Sequence, residues 1–253
     1  MTPRVAEIWR HPIKSHGRER IDTVTLTPGQ ALPWDRRWAV AHERSCFDTD
    51  SPRWQPCQEF SRGSKSPRLQ AIRAVVDPAC RSMTLSHPDR QDITIDPDDD
   101  GDAGRFIQWV MPISNGNPLL PARLVRAPGA AMTDTDYQSI SLINLATHRE
   151  IEAQLGQPIS PLRWRGNILI DGLDAWAEMD WPGKHLRLGE TELEIVEPIV
   201  RCLATTANPE TGARDAETLK ALKYGWGHLY CGVYAKVTKS GALIEGAEIE
   251  VIS

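Results

Sequence analysis

Along the first hundred residues, apolar and polar positions alternate in short runs broken by proline and glycine, a pattern that predicts strands. Val5, Glu7 and Trp9 open one such run. His11-Pro12 ends it, because proline restrains the residue before it and brings no amide donor. Residues 23–26, 37–41, 69–76, 82–86 and 91–95 read as further strands. Between them, residues 48–65 are rich in Pro, Ser, Arg and Gly and read as a long surface loop, and long loops in a compact body are often placed over a site.

Helical signals are fewer. Residues 104–111 predict a short helix and residues 215–222 another. The clearest helix is expected over 141–155, with Leu142, Leu145, Ile151 and Leu155 on one face and Gly156 just past its end. Strand patterns return at 168–170, 185–188, 193–196, 230–237 and 249–252. Strands outnumber helices and no regular β-α alternation occurs. The expected fold class is therefore mostly β with attached helices (α+β), including a β-barrel. The turn-rich stretch 112–121, with Asn115, Gly116, Asn117 and Pro118, is the expected boundary between an N-terminal unit, 1–120, and a C-terminal unit, 121–253.

The chain has 253 residues, 40% hydrophobic and 25% charged, which suits a folded body throughout. A net charge of -5 argues against a protein that coats a nucleic acid, which needs a continuous cationic surface. A local cationic pocket remains open, since the first seventy residues lean basic. The nine tryptophans then suit core packing and pocket walls better than base stacking. Five scattered cysteines with no C-x-x-C pair indicate neither a disulfide framework nor a cysteine-rich metal site, and a reducing cytoplasm is the expected location. With no signal-peptide pattern and no long apolar run, no direct membrane anchor is expected.

Several common chemistries lack their residues. The histidines form neither H-x-x-x-H nor H-E-x-x-H, and G-x-G-x-x-G, G-K-[ST] and G-x-S-x-G are absent. Asp96, Asp98, Asp99, Asp100 and Asp102 open like a calcium loop, but Ile107 stands where the closing Glu belongs, so a solvated turn is expected.

Two segments carry positive readings. Arg163-Trp164-Arg165-Gly166-Asn167 places two guanidinium groups and an amide where they could grip an anion, or could form a solvated basic turn. Arg201-Cys202-Leu203-Ala204-Thr205-Thr206 places a thiol beside an arginine at a strand end, where it could serve as soft metal ligand, nucleophile or ordinary small hydrophobe. Lys14-Ser15 in a turn and Asp35-Arg36-Arg37 before a strand offer further donors.

In order along the chain, Ile8-Trp9-Arg10-His11-Pro12-Ile13-Lys14-Ser15, Asp35-Arg36-Arg37-Trp38, Arg165-Gly166-Asn167-Ile168, Arg201 to Thr206 and Asn208-Pro209-Glu210-Thr211-Gly212 closely resemble the MOSC family with its N-terminal partner domain. Within that family the chain looks most like the amidoxime-reducing molybdenum enzymes. The resemblance implies a MOSC β-barrel joined to an N-terminal β domain, with a molybdenum–pterin cofactor (Mo-molybdopterin) in the cleft between them. Carried over position by position, it makes Cys202 the metal ligand and catalytic thiolate. It makes Lys14, Ser15, Arg36, Ser139, Arg165, Asn167 and Thr205 the cofactor contacts. His11, Gly166 and Tyr137 depart from the usual residues, Gly166 standing where related reductases often have proline. The implied activity is oxygen removal from a small N-hydroxylated substrate. The chain ends at Ser253 without cluster-type cysteine spacing, so electrons are expected from a separate electron-transfer protein. A molybdenum cofactor or sulfur carrier, and a non-enzymatic anion-binding module, are the other readings.

Overall fold

The computed structural model describes residues 2–252 except 115 and 117. Asn115 and Asn117 of the expected linker, with Met1 and Ser253, lie outside the described residues. The N-terminal part carries β1 (Arg4–Arg10), β2 (Glu19–Ile21), β3 (Thr23–Leu26), β4 (Ala39–His42), β5 (Arg73–Asp77), β6 (Ser82–His87), β7 (Arg90–Ile95) and helix α1 (Asp100–Val110). There follow β8 (Pro121–Val125), β9 (Ile140–Asn144), α2 (Leu145–Leu155), β10 (Ile168–Asp171), β11 (His185–Leu188) and β12 (Thr191–Val200). Helix α3 (Thr218–Trp226), β13 (Tyr230–Lys239), β14 (Gly241–Ile244) and β15 (Ile249–Val251) end the chain.

Eight strands join in the order β15-β11-β12-β13-β9-β10-β1-β2. The β9–β10 pair is parallel and the others are antiparallel. On one face, Ile8, Leu142, Ile168 and Val233 enter a core closed by Leu26 and Leu243. On the other, Ile143, Leu169 and Ile199 pack against Ile151 of α2 and Leu222 of α3. A second body is built from the ladder β5-β6-β7 with α1, where Leu85, Met83, Phe106 and Val110 meet. The β4–β8 pair lies on a smaller core with Phe60 and Met132.

The expected barrel is corrected here. The fold is a mixed α+β one with two β-sheet subdomains, and among the described residues no sheet closes into a barrel. The large sheet ends on β2 and β15, three residues each, and the bridge between Arg4 and Glu248 is isolated and does not extend into a ladder. Local alternation specifies strands and their faces, but closure depends on which edges meet, and edge pairing is a long-range property.

The helix expected over 141–155 also divides. Residues up to Asn144 form β9, buried along its whole length, with Leu142 on one face of the sheet and Ile143 on the other. A strand covered on both faces reads as an unbroken apolar run, which periodicity cannot tell from a buried helix. Asn144 ends it by accepting from the Ala146 amide at 2.9 Å as the N-cap of α2, and Gly156 terminates that helix at φ 68° as expected. The acidic run has a different use from a bare turn: Asp99 caps α1, and Asp100 and Asp102 lie in its first turn, where carboxylates complement the helix dipole.

Candidate functional site

Strand ends and connections of the large sheet converge on one cavity of about 250 Å³. The segment after β1 is tied to residues 35–38: Lys14 N donates to Trp38 O at 2.7 Å and Arg36 N to His11 O at 2.7 Å. These bonds hold Lys14, Ser15 and Arg36 side by side. Arg165 follows a short helical turn, Pro161–Trp164, and precedes β10. Cys202 follows β12 and opens the turn Leu203–Thr206, whose Thr205 N–H returns to Cys202 O at 3.1 Å.

The cavity is lined by Lys14, Ser15, Arg36, Arg165, Cys202 and Thr205 of the sequence-derived set. Ser139 and Asn167 do not reach it. They line an adjoining recess that shares Arg36, Asp134, Ser141 and Tyr234 with the main cavity. The Asn167 amide is engaged there: its oxygen accepts from Ser141 N and Oγ at 3.1 and 2.9 Å, and its nitrogen donates to Trp9 O at 3.2 Å. Asn167 thus couples β1, β9 and β10 behind the cavity wall.

Ser15, Arg36 and Arg165 all have φ between 47° and 64°. Non-glycine residues rarely adopt this conformation, and such positions cluster where backbone is over-determined by its surroundings. Gly166 next to them is fully accounted for by packing. A Cβ there would lie 2.3 Å from Ile143 Cγ1, so the space a proline ring needs is occupied by Ile143.

Six basic side chains line the cavity (Lys14, Arg36, Arg62, Arg163, Arg165 and Arg201) against one carboxylate, Asp134. They are not equivalent. Lys14 Nζ contacts Asp134 Oδ1 at 2.5 Å and donates to Met132 O and Thr133 O. Arg36 pairs with buried Asp35, and Arg163 pairs with Asp215 at 2.7 Å. Arg201, expected beside the thiol, turns back to Cys231 O and Trp164 O, so adjacency in sequence did not place its charge on Cys202. Arg165 has no carboxylate partner among the described residues; it donates to Gly17 O at 3.1 Å and lies near Gln70 Oε1 at 3.5 Å. Burial, with Arg36 second, pushes its pKa down to about 9, which leaves it charged at neutral pH. Asp134 would rise on burial alone, but Lys14 and Arg36 outweigh this and hold it at about 2.

Sequence reasoning missed Asp134, Gln70 and Tyr234, which carry no motif. It did place a loop over a site, and Cys57, Arg62, Gly63 and Ser64 of that loop line the cavity. No group of three or more His, Cys, Asp or Glu among the described residues could hold a metal alone. A metal here needs ligands from outside the chain, beside the exposed sulfur of Cys202.

Two buried histidines flank Lys14. Burial, with Arg165 adding to it, pushes His11 down to about 3 and His16 to about 4 from 6.5. Both folded values lie below the unfolded one, so their contribution is complete above pH 6.5 and is lost as pH falls through the folded values. Each is expected to cost about 2 kcal/mol at pH 5. Urea unfolding at pH 7 and pH 5 reads this directly, and equal stability at both would refute it.

A family model of the MOSC domain matches residues 130–250, and one of the MOSC N-terminal beta barrel domain matches residues 2–111. Molybdenum cofactor sulfurase of Drosophila melanogaster is 25% identical over 259 residues, covering 92% of this chain and 32% of that protein. Mitochondrial amidoxime-reducing component 1 of Homo sapiens is 31% identical over 90 residues, 35% of this chain and 26% of that one. The chain spans about a third of the length of the sulfurases it matches. The YUAD protein from Bacillus subtilis superposes with a TM-score of 0.48 at 13% identity, over 99% of this chain and 96% of that one. The cytoplasmic location expected from cysteine usage is corrected by these matches, because the amidoxime-reducing relatives are mitochondrial by name. Scattered free cysteines indicate a reducing surrounding and do not distinguish one such compartment from another. No helix among the described residues is long and apolar enough to cross a membrane.

Proposed function

The chain belongs to the family that joins a MOSC N-terminal beta barrel domain to a MOSC domain and is homologous to the amidoxime-reducing components, and from that premise we propose that it is a molybdenum–pterin reductase of small N-hydroxylated compounds. The observation that carries this reading is Arg165: a guanidinium in the cavity wall with no ion-paired carboxylate among the described residues, beside Arg36 and Lys14, facing the same space as Cys202. Its hydrogen-bond partners, Gly17 O and Gln70, are neutral, and a partly buried cation so held is costly unless a ligand supplies the anion.

The residues present fit such a group. Arg165, Arg36 and Lys14 would neutralise a pterin phosphate, with Ser15 and Thr205 adding neutral donors. Ser139 and Asn167 would hold the wall behind them. Cys202 would supply the one protein sulfur to the metal. When bound, the cofactor supplies the two-electron chemistry by which oxygen leaves the substrate as water. Asp134, held ionised by Lys14 and Arg36, fixes Lys14 Nζ at the cavity wall. The electrons would come from a separate electron-transfer protein. The division into 1–120 and 121–253 as the two units that meet at this cleft belongs to the same proposal.

Carriage of cofactor or sulfur is a second reading, favoured by the sulfurase relatives that match 92% of the chain. One experiment separates the two. Protein produced with ample molybdenum is analysed for metal, for extractable pterin and for benzamidoxime turnover after chemical reduction. Retained molybdenum and pterin with turnover are expected. A persulfide on Cys202 without metal or turnover would favour carriage instead.

A further inference from the structure

Away from this cavity, the segment after β10 and the end of α3 enclose an open cleft of about 560 Å³ that shares none of its lining residues. Trp176 and Trp226 form its wall, with ring centroids 4.5 Å apart, and His228 stands edge-on to Trp176 at 5.4 Å. Both indoles are only half-buried. Asp174 and Asp180 flank the wall; they are exposed and make no side-chain hydrogen bond or ion pair among the described residues. No Lys or Arg among the described residues lines the cleft. Lys223, whose charge reaches His228, is turned to its own helix end, where its Nζ donates to Gly227 O at 3.1 Å.

The wall is held in place from beneath. Trp176 has φ 68°, an outlier for so bulky a residue, and its N–H donates to the buried Thr147 Oγ1 at 2.7 Å. Thr147 in turn donates to Glu178, and the Asn144 amide bonds both Glu178 and the Asp174 carbonyl at 2.8 Å. The same asparagine that caps α2 therefore fixes the backbone that presents Asp174 and Trp176.

Aromatic faces and unpaired carboxylates attract cations together, the faces through their quadrupole and the carboxylates through charge. A metal ion is the wrong occupant, because no cluster of three or more metal-ligating side chains is present among the described residues. A large, weakly hydrated cation with an alkyl surface fits both the rings and Met179 on the cleft wall. We propose that this cleft is a second binding site, for an alkylated ammonium group. His228 is compatible with the assignment: burial, and secondarily Lys223, lower its pKa and so disfavour the charged form that would repel the ligand.

Choline tests this, titrated at low salt and followed through its methyl protons by NMR. Its neutral isostere 3,3-dimethylbutan-1-ol serves as the control. Saturable choline binding is expected, with the alcohol and the Asp174→Asn/Asp180→Asn variant each weaker by about tenfold. Both aspartates are exposed and unpartnered, so the variant keeps its fold. Absence of saturable choline binding, equal binding of the alcohol, or unchanged affinity in the variant would each overturn the assignment.

Discussion

Cys202→Ala is expected to strip molybdenum from the protein and abolish turnover of N-hydroxylated substrate while leaving the fold intact. The side chain is exposed and opens a turn whose hydrogen bonds, from Thr205 N and Oγ1, both go to the Cys202 backbone carbonyl. Alanine keeps that carbonyl, so the stability change should stay within about 0.5 kcal/mol. Loss of metal with an unchanged melting temperature then reports ligation and not unfolding. Cys57 supplies the control within the same molecule, because it lines the same cavity from the loop, near Arg62 Nη1 at 3.8 Å. Cys57→Ala should retain molybdenum. Metal kept by the Cys202 variant and lost by the Cys57 variant would exchange the two roles, and metal kept with full turnover by both would remove protein sulfur from the site.

Gly232→Ala is expected to destabilise the protein by about 2–5 kcal/mol, through the left-handed backbone and overpacking together. Gly232 has φ 78°, and a Cβ on it would lie 2.4 Å from Leu142 O and 2.6 Å from Ile143 Cδ1. Leu142 O is backbone of a central strand and cannot move aside. The position is a bulge: β13 places Cys231 and Gly232 opposite the single residue Ile199 between the pairs Pro198–Val233 and Val200–Tyr230. This irregularity leaves the Cys231 carbonyl accepting from Arg201 Nε at 2.7 Å, next to Cys202. Urea unfolding of the variant measures the effect, and a loss under about 1 kcal/mol would show that the bulge relaxes freely.

By itself the sequence determined most strands, the C-terminal end of α2 at Gly156, α3 to within a few residues, and the loop that lines the cavity. These follow from the alternation of side chains and from glycine and proline geometry, which are local. It also carried the Arg165, Arg36 and Cys202 motifs, on which the resemblance to the MOSC family rests. Only the tertiary structure decided the rest. Residues 141–144 became a strand because two separate cores cover its two faces, and the large sheet stayed open because edge pairing depends on distant residues. Arg201 turned from Cys202 toward carbonyls that β13 and the turn at Trp164 bring to it, while Arg165 was left without an ion-paired carboxylate among the described residues. Whether a charge is paired depends on what the rest of the chain places within about 4 Å of it, and spacing in sequence does not contain that distance.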